Sequence, residues 1–188
     1  QKYADINGDS LVNADDRVIL GKSFPDFVWG LSNNFSFKGI YLNVFIEGVH
    51  GVEMFNNNKV DSYFPINFRR NKYAEPYLNR WTPENESNVY PSFINPNGQG
   101  NKAINSYTVE DASYVRLRNV KLGYEIPLNN LTFIRKASVY VSGQNLLTIT
   151  DYQGLDPATN SNGNPSAKID YNSYPVARTI LLGVELGF

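Results

Sequence analysis

The sequence predicts an all-β fold, and within it the wall of an antiparallel transmembrane β-barrel: about five strands of a larger barrel, joined by long extracellular loops. Three observations carry this expectation. From Arg178 to Phe188, the residues Ile180, Leu182, Val184, Leu186 and Phe188 fall on one face of an extended strand, and Thr179, Gly183, Glu185 and Gly187 on the other. There is no run of roughly eighteen apolar residues, so any crossing of a membrane must be made with strands. The connections between strand-like stretches alternate short and long, as in outer-membrane barrels with short periplasmic turns and long external loops.

Composition agrees. Thirteen Tyr and eleven Phe supply strand formers and interfacial rings, while fourteen Gly and ten Pro supply turns. A net charge of −1 gives no nucleic-acid signal, and with no cysteine there is no disulfide framework. Gln1-Lys2-Tyr3 opens directly into a polar loop with no signal-peptide pattern, so an exported chain of this kind is expected to be a fragment or a processed product.

In chain order, residues 1–25 are expected to form an extracellular loop of calcium type. Asp5, Asn7, Asp9, Leu11, Asn13 and Asp16 hold positions 1, 3, 5, 7, 9 and 12 of a twelve-residue loop, with Leu11 contributing its carbonyl. The loop resembles those of dockerin modules more than a full EF-hand, because Asp closes it and only a short helical stretch, Asp16 to Leu20, is expected to follow. Position six is Ser10 rather than the Gly that the sharp turn prefers, at a cost of about 1 kcal/mol. A bound calcium ion in a structural role is expected; a solvated run of Asx-turns is the alternative.

Residues 26–188 are expected to be strands and loops of the wall. Phe27, Trp29, Leu31, Phe35 and Phe37 share a face broken only by Asn33, and after a tight Lys38-Gly39 turn Ile40, Leu42, Val44 and Ile46 continue it, so 27–50 reads as a hairpin. His50, the single histidine, has no sequence partner that would make it a ligand or proton carrier. Residues 51–112 lose the alternation but are too rich in rings for a disordered linker. Tyr63, Phe68, Tyr73, Tyr77, Trp81 and Tyr90, interleaved with Asn and Arg, are candidates for contact with substrate or a protein lid; the alternative is that they form the loop's own small core.

Alternation returns at 114–127. Val120, Leu122, Tyr124 and Ile126 define an apolar face on which Arg116 and Arg118 also fall. Either a bulge flips the register near Asn119, or the arginines stand above the membrane; the second is the expectation. Pro127 ends this strand, Ala137, Val139, Val141 and Gly143 mark the next, and residues 150–175 form a second long loop before the terminal strand. Five strands cannot close a barrel, so the rest of the wall is expected to come from residues or chains absent here.

Several stretches in this order resemble one family: Asp5-Ile6-Asn7-Gly8-Asp9 followed by Pro25-Asp26-Phe27, Arg80-Trp81-Thr82-Pro83-Glu84-Asn85, Ala112 to Val120, Gly143-Gln144-Asn145-Leu146, Gly154-Leu155-Asp156-Pro157 and the closing Arg178 to Phe188. Together they resemble the C-terminal barrel segment of SusC/RagA-like TonB-dependent outer-membrane transporters. The resemblance implies a 22-stranded barrel with an N-terminal plug in the outer membrane of a Gram-negative bacterium. It implies import of oligosaccharides or peptides on energy relayed by TonB, beneath a SusD-like surface lipoprotein. It also implies that the last strand, ending at Phe188, is read by the barrel-assembly machinery.

Two other classes share part of this pattern. A soluble, calcium-stabilised β-sandwich that binds carbohydrate accounts for the Asp/Asn loop and the ring-rich loops, but not for the terminal aromatic or the alternation of connection lengths. An enzyme is not expected: the sequence carries no Ser/His/Asp set, histidine metal cluster or phosphate-binding Gly loop, and pairs such as Glu84 with Glu86 or Glu110 with Asp111 read as solvated loop carboxylates.

Overall fold

The structure is a computed structural model that describes residues 4–64, 71–90, 92, 104–128, 133–161, 163–164 and 167–188. Its strands are β1 (Phe27–Phe37), β2 (Ile40–His50), β3 (Glu53–Asn56), β4 (Val109–Asp111), β5 (Tyr114–Glu125), β6 (Lys136–Thr150), β7 (Ile169–Asp170) and β8 (Thr179–Gly187), with two short helices, α1 (Asn57–Tyr63) and α2 (Ala74–Leu78). Five strands form one sheet in the order β1-β2-β5-β6-β8, and three form a small sheet in the order β4-β3-β7. The chain divides into two compact units. One comprises Phe24–Val52, Asp111–Ala158 and Tyr174–Phe188 and holds the large sheet; the other comprises Gln1–Ser23, Glu53–Glu110 and Thr159–Ser173.

The large sheet is an antiparallel meander in which chain neighbours pair. The β1–β2 turn is tight because Lys38 (φ 48°) and Gly39 (φ 85°) both take left-handed backbone, as a two-residue hairpin turn requires. The β5–β6 connection lies at the same end, where the Ile126 amide donates to the Ala137 carbonyl and the Arg135 amide to the Gly187 carbonyl. The two long connections leave from the opposite end.

Register fixes the faces. Phe35, Leu42, Leu122, Val141 and Leu182 lie side by side across all five strands, as do Phe37, Ile40, Tyr124, Val139 and Val184 one row towards the short turns. Nearer the long connections the row is Leu31, Ile46, Leu117 and Leu147, and then Trp29, Gly48, Val115 and Ile149. Leu117 and Val115 have the opposite sequence parity to Val120 and Leu122, and this corrects the reading of the arginines. The pairing skips Arg118 on β5 and Asn145-Leu146 on β6, where Asn145 takes φ 53°. The bulge turns the strand over, so Arg116 and Arg118 leave the apolar face instead of standing on it above a membrane.

In the other unit, β3 pairs in parallel with β7, Phe55 facing Ile169. Asn56 caps α1 by accepting the Lys59 amide at 2.9 Å. The loop expected to be without periodicity thus contains its own short strands and helices around Val60, Phe64 and Met54, which are buried. The helical stretch expected from Asp16 to Leu20 is instead a single 3-10 turn at Ala14–Asp16, capped by the Asn13 side chain on the Asp15 amide.

Candidate functional site

The apolar face of the large sheet is exposed: Leu31, Ile180, Leu182 and Val184 keep 49%, 69%, 85% and 66% of their surface. Rings border it at both ends, Phe27 and Trp29 towards the long connections and Phe37, Tyr124, Phe133 and Phe188 towards the short ones, with Phe133 and Phe188 in edge contact at 5.4 Å. The ten residue steps from Phe27 to Phe37 span about 34 Å along the strand and, at a tilt of about 40°, about 26 Å along a membrane normal, the height of a bilayer's apolar band.

The opposite face is polar. Glu47 approaches Arg118 at 3.6 Å, Lys121 approaches Glu185 at 3.8 Å, and Asn43 bonds Asn34 across the hairpin. Tyr41, Gly123, Tyr140 and Gly183 form a row in which each tyrosine ring lies over the neighbouring strand's glycine. The Lys121 ammonium sits 4.0 Å from the Tyr140 ring centroid and 5.6 Å from that of Tyr41.

Nearer the long connections, the bulge aims Arg116 into an ion pair with Asp156 at 2.6 Å and a hydrogen bond to Thr148 Oγ1 at 2.9 Å, with both charged residues almost fully buried at 1% and 3% exposure. Asp156 also accepts the Val176 and Ala158 amides, and Asn145 donates to the Ala177 carbonyl. These bonds strap the start and end of the second long connection onto the polar face. Burial alone would raise the Asp156 carboxyl, but the two amides and the guanidinium outweigh it and hold the group below the usual carboxylate range.

The ring-bearing candidates are partly assembled. Tyr63 makes an edge contact with Tyr73 at 5.3 Å and stacks near Tyr90 at 6.3 Å, and the Tyr90 hydroxyl donates to Glu75 at 2.8 Å. Tyr77 pairs instead with Arg80 at 4.3 Å, and Trp81 is partly exposed, its amide bonded to the Tyr90 carbonyl. Phe68 lies outside the described residues. Beneath the tyrosines Lys59 is buried, 2.9 Å from Glu110 and 3.9 Å from the Tyr107 ring centroid, and Phe64 packs on Tyr107 at 5.7 Å. Burial pushes all three phenols up, Tyr107 and Tyr63 and also Tyr90, the last to about 12 with help from its bond to Glu75, so they remain neutral donors at physiological pH. Glu110, expected to be solvated, is therefore a structural ion-pair partner. Neither Lys59 nor Tyr107 was visible as a site residue in the sequence.

In the amino-terminal loop the oxygens turn inward onto the backbone. Asp5 accepts the Gly8 and Ser10 amides at 2.7 and 2.8 Å, Asp9 the Leu11 amide at 2.8 Å, and Asp16 the Ile6 and Asn13 amides at 2.7 and 2.8 Å. The Asn13 and Ile6 amides hold the Asp16 carboxyl below its usual range. Ser10 takes φ 65°, the left-handed backbone that this loop spacing demands at its sixth position. Among the described residues no three His, Cys, Asp or Glu side chains gather as a ready metal site.

An exposed apolar face with aromatic borders, backed by a polar face, defines part of a β-barrel wall. No protein-family profile matches the chain. It is 34% identical to TonB-dependent receptor P26 of Formosa agariphila over 100% of its own length and 19% of the relative's. To the TonB-dependent receptor SusC of Bacteroides thetaiotaomicron it is 27% identical over 99% of the chain and 17% of the relative. Among solved structures it matches the RagAB peptide importer in its closed-closed state, with a TM-score of 0.78 and 29% identity over 95% of this chain and 19% of that one. The chain belongs to the SusC/RagA-like TonB-dependent receptors, and it spans about a fifth of their length.

Proposed function

We propose that the chain is part of the barrel of an outer-membrane importer in a Gram-negative bacterium, taking up oligosaccharides or peptides with a SusD-like surface lipoprotein as lid. The observation that carries this reading is the apolar face: Leu182 at 85% exposure is at home against acyl chains and misplaced in water. Kinship with TonB-dependent receptors and likeness to a structure described as a peptide importer support the transport role. In this reading the barrel has 22 strands, by the resemblance already described, and the long connections face outward. The plug and the TonB contact lie in other parts of the protein, and Phe188 serves as the assembly signal. Tyr63, Tyr73 and Tyr90 would meet substrate or lid, with Tyr77 and Trp81 beside them. The loop from Asp5 to Asp16 would hold calcium through Asp5, Asn7, Asp9, Asn13 and Asp16 and the Leu11 carbonyl; the left-handed Ser10 supports that assignment. A soluble sandwich is the weaker reading, because it requires a second sheet over residues that are exposed here.

Single-cysteine labelling of the complete receptor in outer membranes tests the proposal. Cysteines at Trp29, Leu31, Val44, Val139, Leu182 and Val184 should be shielded from aqueous reagents, and cysteines at Glu47, Gln144 and Glu185 should react from the interior. Equal reactivity of the two sets would overturn it.

A further inference from the structure

The apolar band does not end in a plain aromatic border at the long-connection end. It ends in a groove of about 250 Å³ on the same face of the sheet, lined below by Trp29, Val115 and Ile149 and above by His50, Asp111 and Asp151. Its shape follows from Gly48. A Cβ there would lie 2.3 Å from the Trp29 indole, so the ring lies across the glycine backbone and forms a flat floor. Phe27 closes one side, in tilted contact with His50 at 5.1 Å.

The chemistry of the lining narrows the occupant. Trp29, Val115 and Ile149 belong to one row of the sheet with Gly48, whereas His50, Asp111 and Asp151 bring polar groups to the other side of the groove, so it suits a molecule that is apolar at one end and polar at the other. Two carboxylates with no Lys or Arg among the described lining residues repel a phosphate group. Carboxylates accept hydrogen bonds from hydroxyls, and an indole face packs against the C–H face of a sugar ring. A volume below that of drug-sized pockets has room for one such ring.

We propose that this groove binds the sugar headgroup of a neutral glycolipid whose acyl chains run down the apolar band. The proposal rests on the barrel-wall reading, and the test separates the two. The complete receptor, carrying a nitroxide on Leu182→Cys, is reconstituted with equal amounts of glucosyl diacylglycerol, phosphatidylethanolamine and phosphatidylglycerol of matched acyl chains, and co-purifying lipid is identified by native mass spectrometry. The expected result is a Leu182 label relaxed by lipid-soluble reagents and a glucolipid enriched by about tenfold over both phospholipids, the size of one charge-assisted hydrogen bond. That enrichment should be lost in Trp29→Leu and in Asp151→Asn. Equal retention of the three lipids, or enrichment that survives both substitutions, with the label still in lipid, overturns the glycolipid site and leaves the wall standing. A label exposed to water overturns the wall and the site together.

Discussion

An arginine placed at the middle of the apolar band distinguishes a lipid-facing wall from a sheet that meets water. Leu31 lies one residue from the midpoint of β1, and its cross-strand neighbour is Ile46; Ile40 lies at the lower border of the same face. Both are about half exposed, at 49% and 51%. In lipid, Arg costs about 2 to 4 kcal/mol at the midplane and about 0 to 1 near the interface. Leu31→Arg should therefore cost about 2 kcal/mol more than Ile40→Arg, roughly a 30-fold difference in the folding equilibrium. The assay is urea-titrated folding of the receptor into phospholipid vesicles, read as heat-modifiable migration. In water both are surface substitutions worth about 0.5 kcal/mol or less. Two variants that stay that close to the wild type would refute the reasoning.

Arg116→Leu should cost about 3 to 5 kcal/mol, because it strands a buried carboxylate, while Arg116→Leu with Asp156→Leu should recover much of the loss; protease sensitivity of residues 151–158 reads both. The Asp156 carboxyl is depressed in the folded state, so its stabilisation is complete above about pH 4 and disappears as pH falls through the lower folded value, a loss that Asp156→Asn should not show. If the amino-terminal loop binds calcium, titration calorimetry should record binding that Asp5→Asn and Asp16→Asn weaken by about tenfold or more. Amide resonances of Ile6 and Asn13 should stay ordered until pH falls below the normal carboxylate range, since the Asp16 pKa is likewise depressed. Phe188→Tyr should give near-normal yields of surface-exposed, heat-modifiable barrel, and Phe188→Asp should give little; normal yield for the Asp variant would remove the terminal strand from barrel assembly.

The sheet was legible wherever period two ran unbroken. The β1–β2 hairpin, its Lys38-Gly39 turn and β8 need nothing beyond alternation and left-handed turn residues. Arg116 and Arg118 were misplaced because one skipped residue inverts parity, and a single continuous reading of 114–126 cannot register that. Val115 and Leu117 as one frame and Val120 to Ile126 as another favour the bulge near Asn119, the alternative that the sequence also offered. Strands β3, β4 and β7 are four, three and two residues long, too short to display any period. The ion pairs Lys59–Glu110 and Arg116–Asp156 join residues 51 and 40 positions apart, and no local pattern encodes such distances. The tyrosines were recognisable as a cluster of rings, but the cation and carboxylate beneath them were not.

The row of tyrosines lying over glycines has a consequence for the relief of the polar face. A Cβ at Gly123 would fall 2.2 Å from Cζ of Tyr41, and one at Gly183 would fall 2.4 Å from Cζ of Tyr140. The rings can lie flat only because two methyl groups are missing. A single added carbon at either glycine would lever a phenol away from the wall, and Lys121, held against the Tyr140 ring, would have to move with it. At that depth the relief of the polar face is set by its smallest residues, and one Gly→Ala substitution would raise a phenol from the sheet without changing a single tyrosine or lysine.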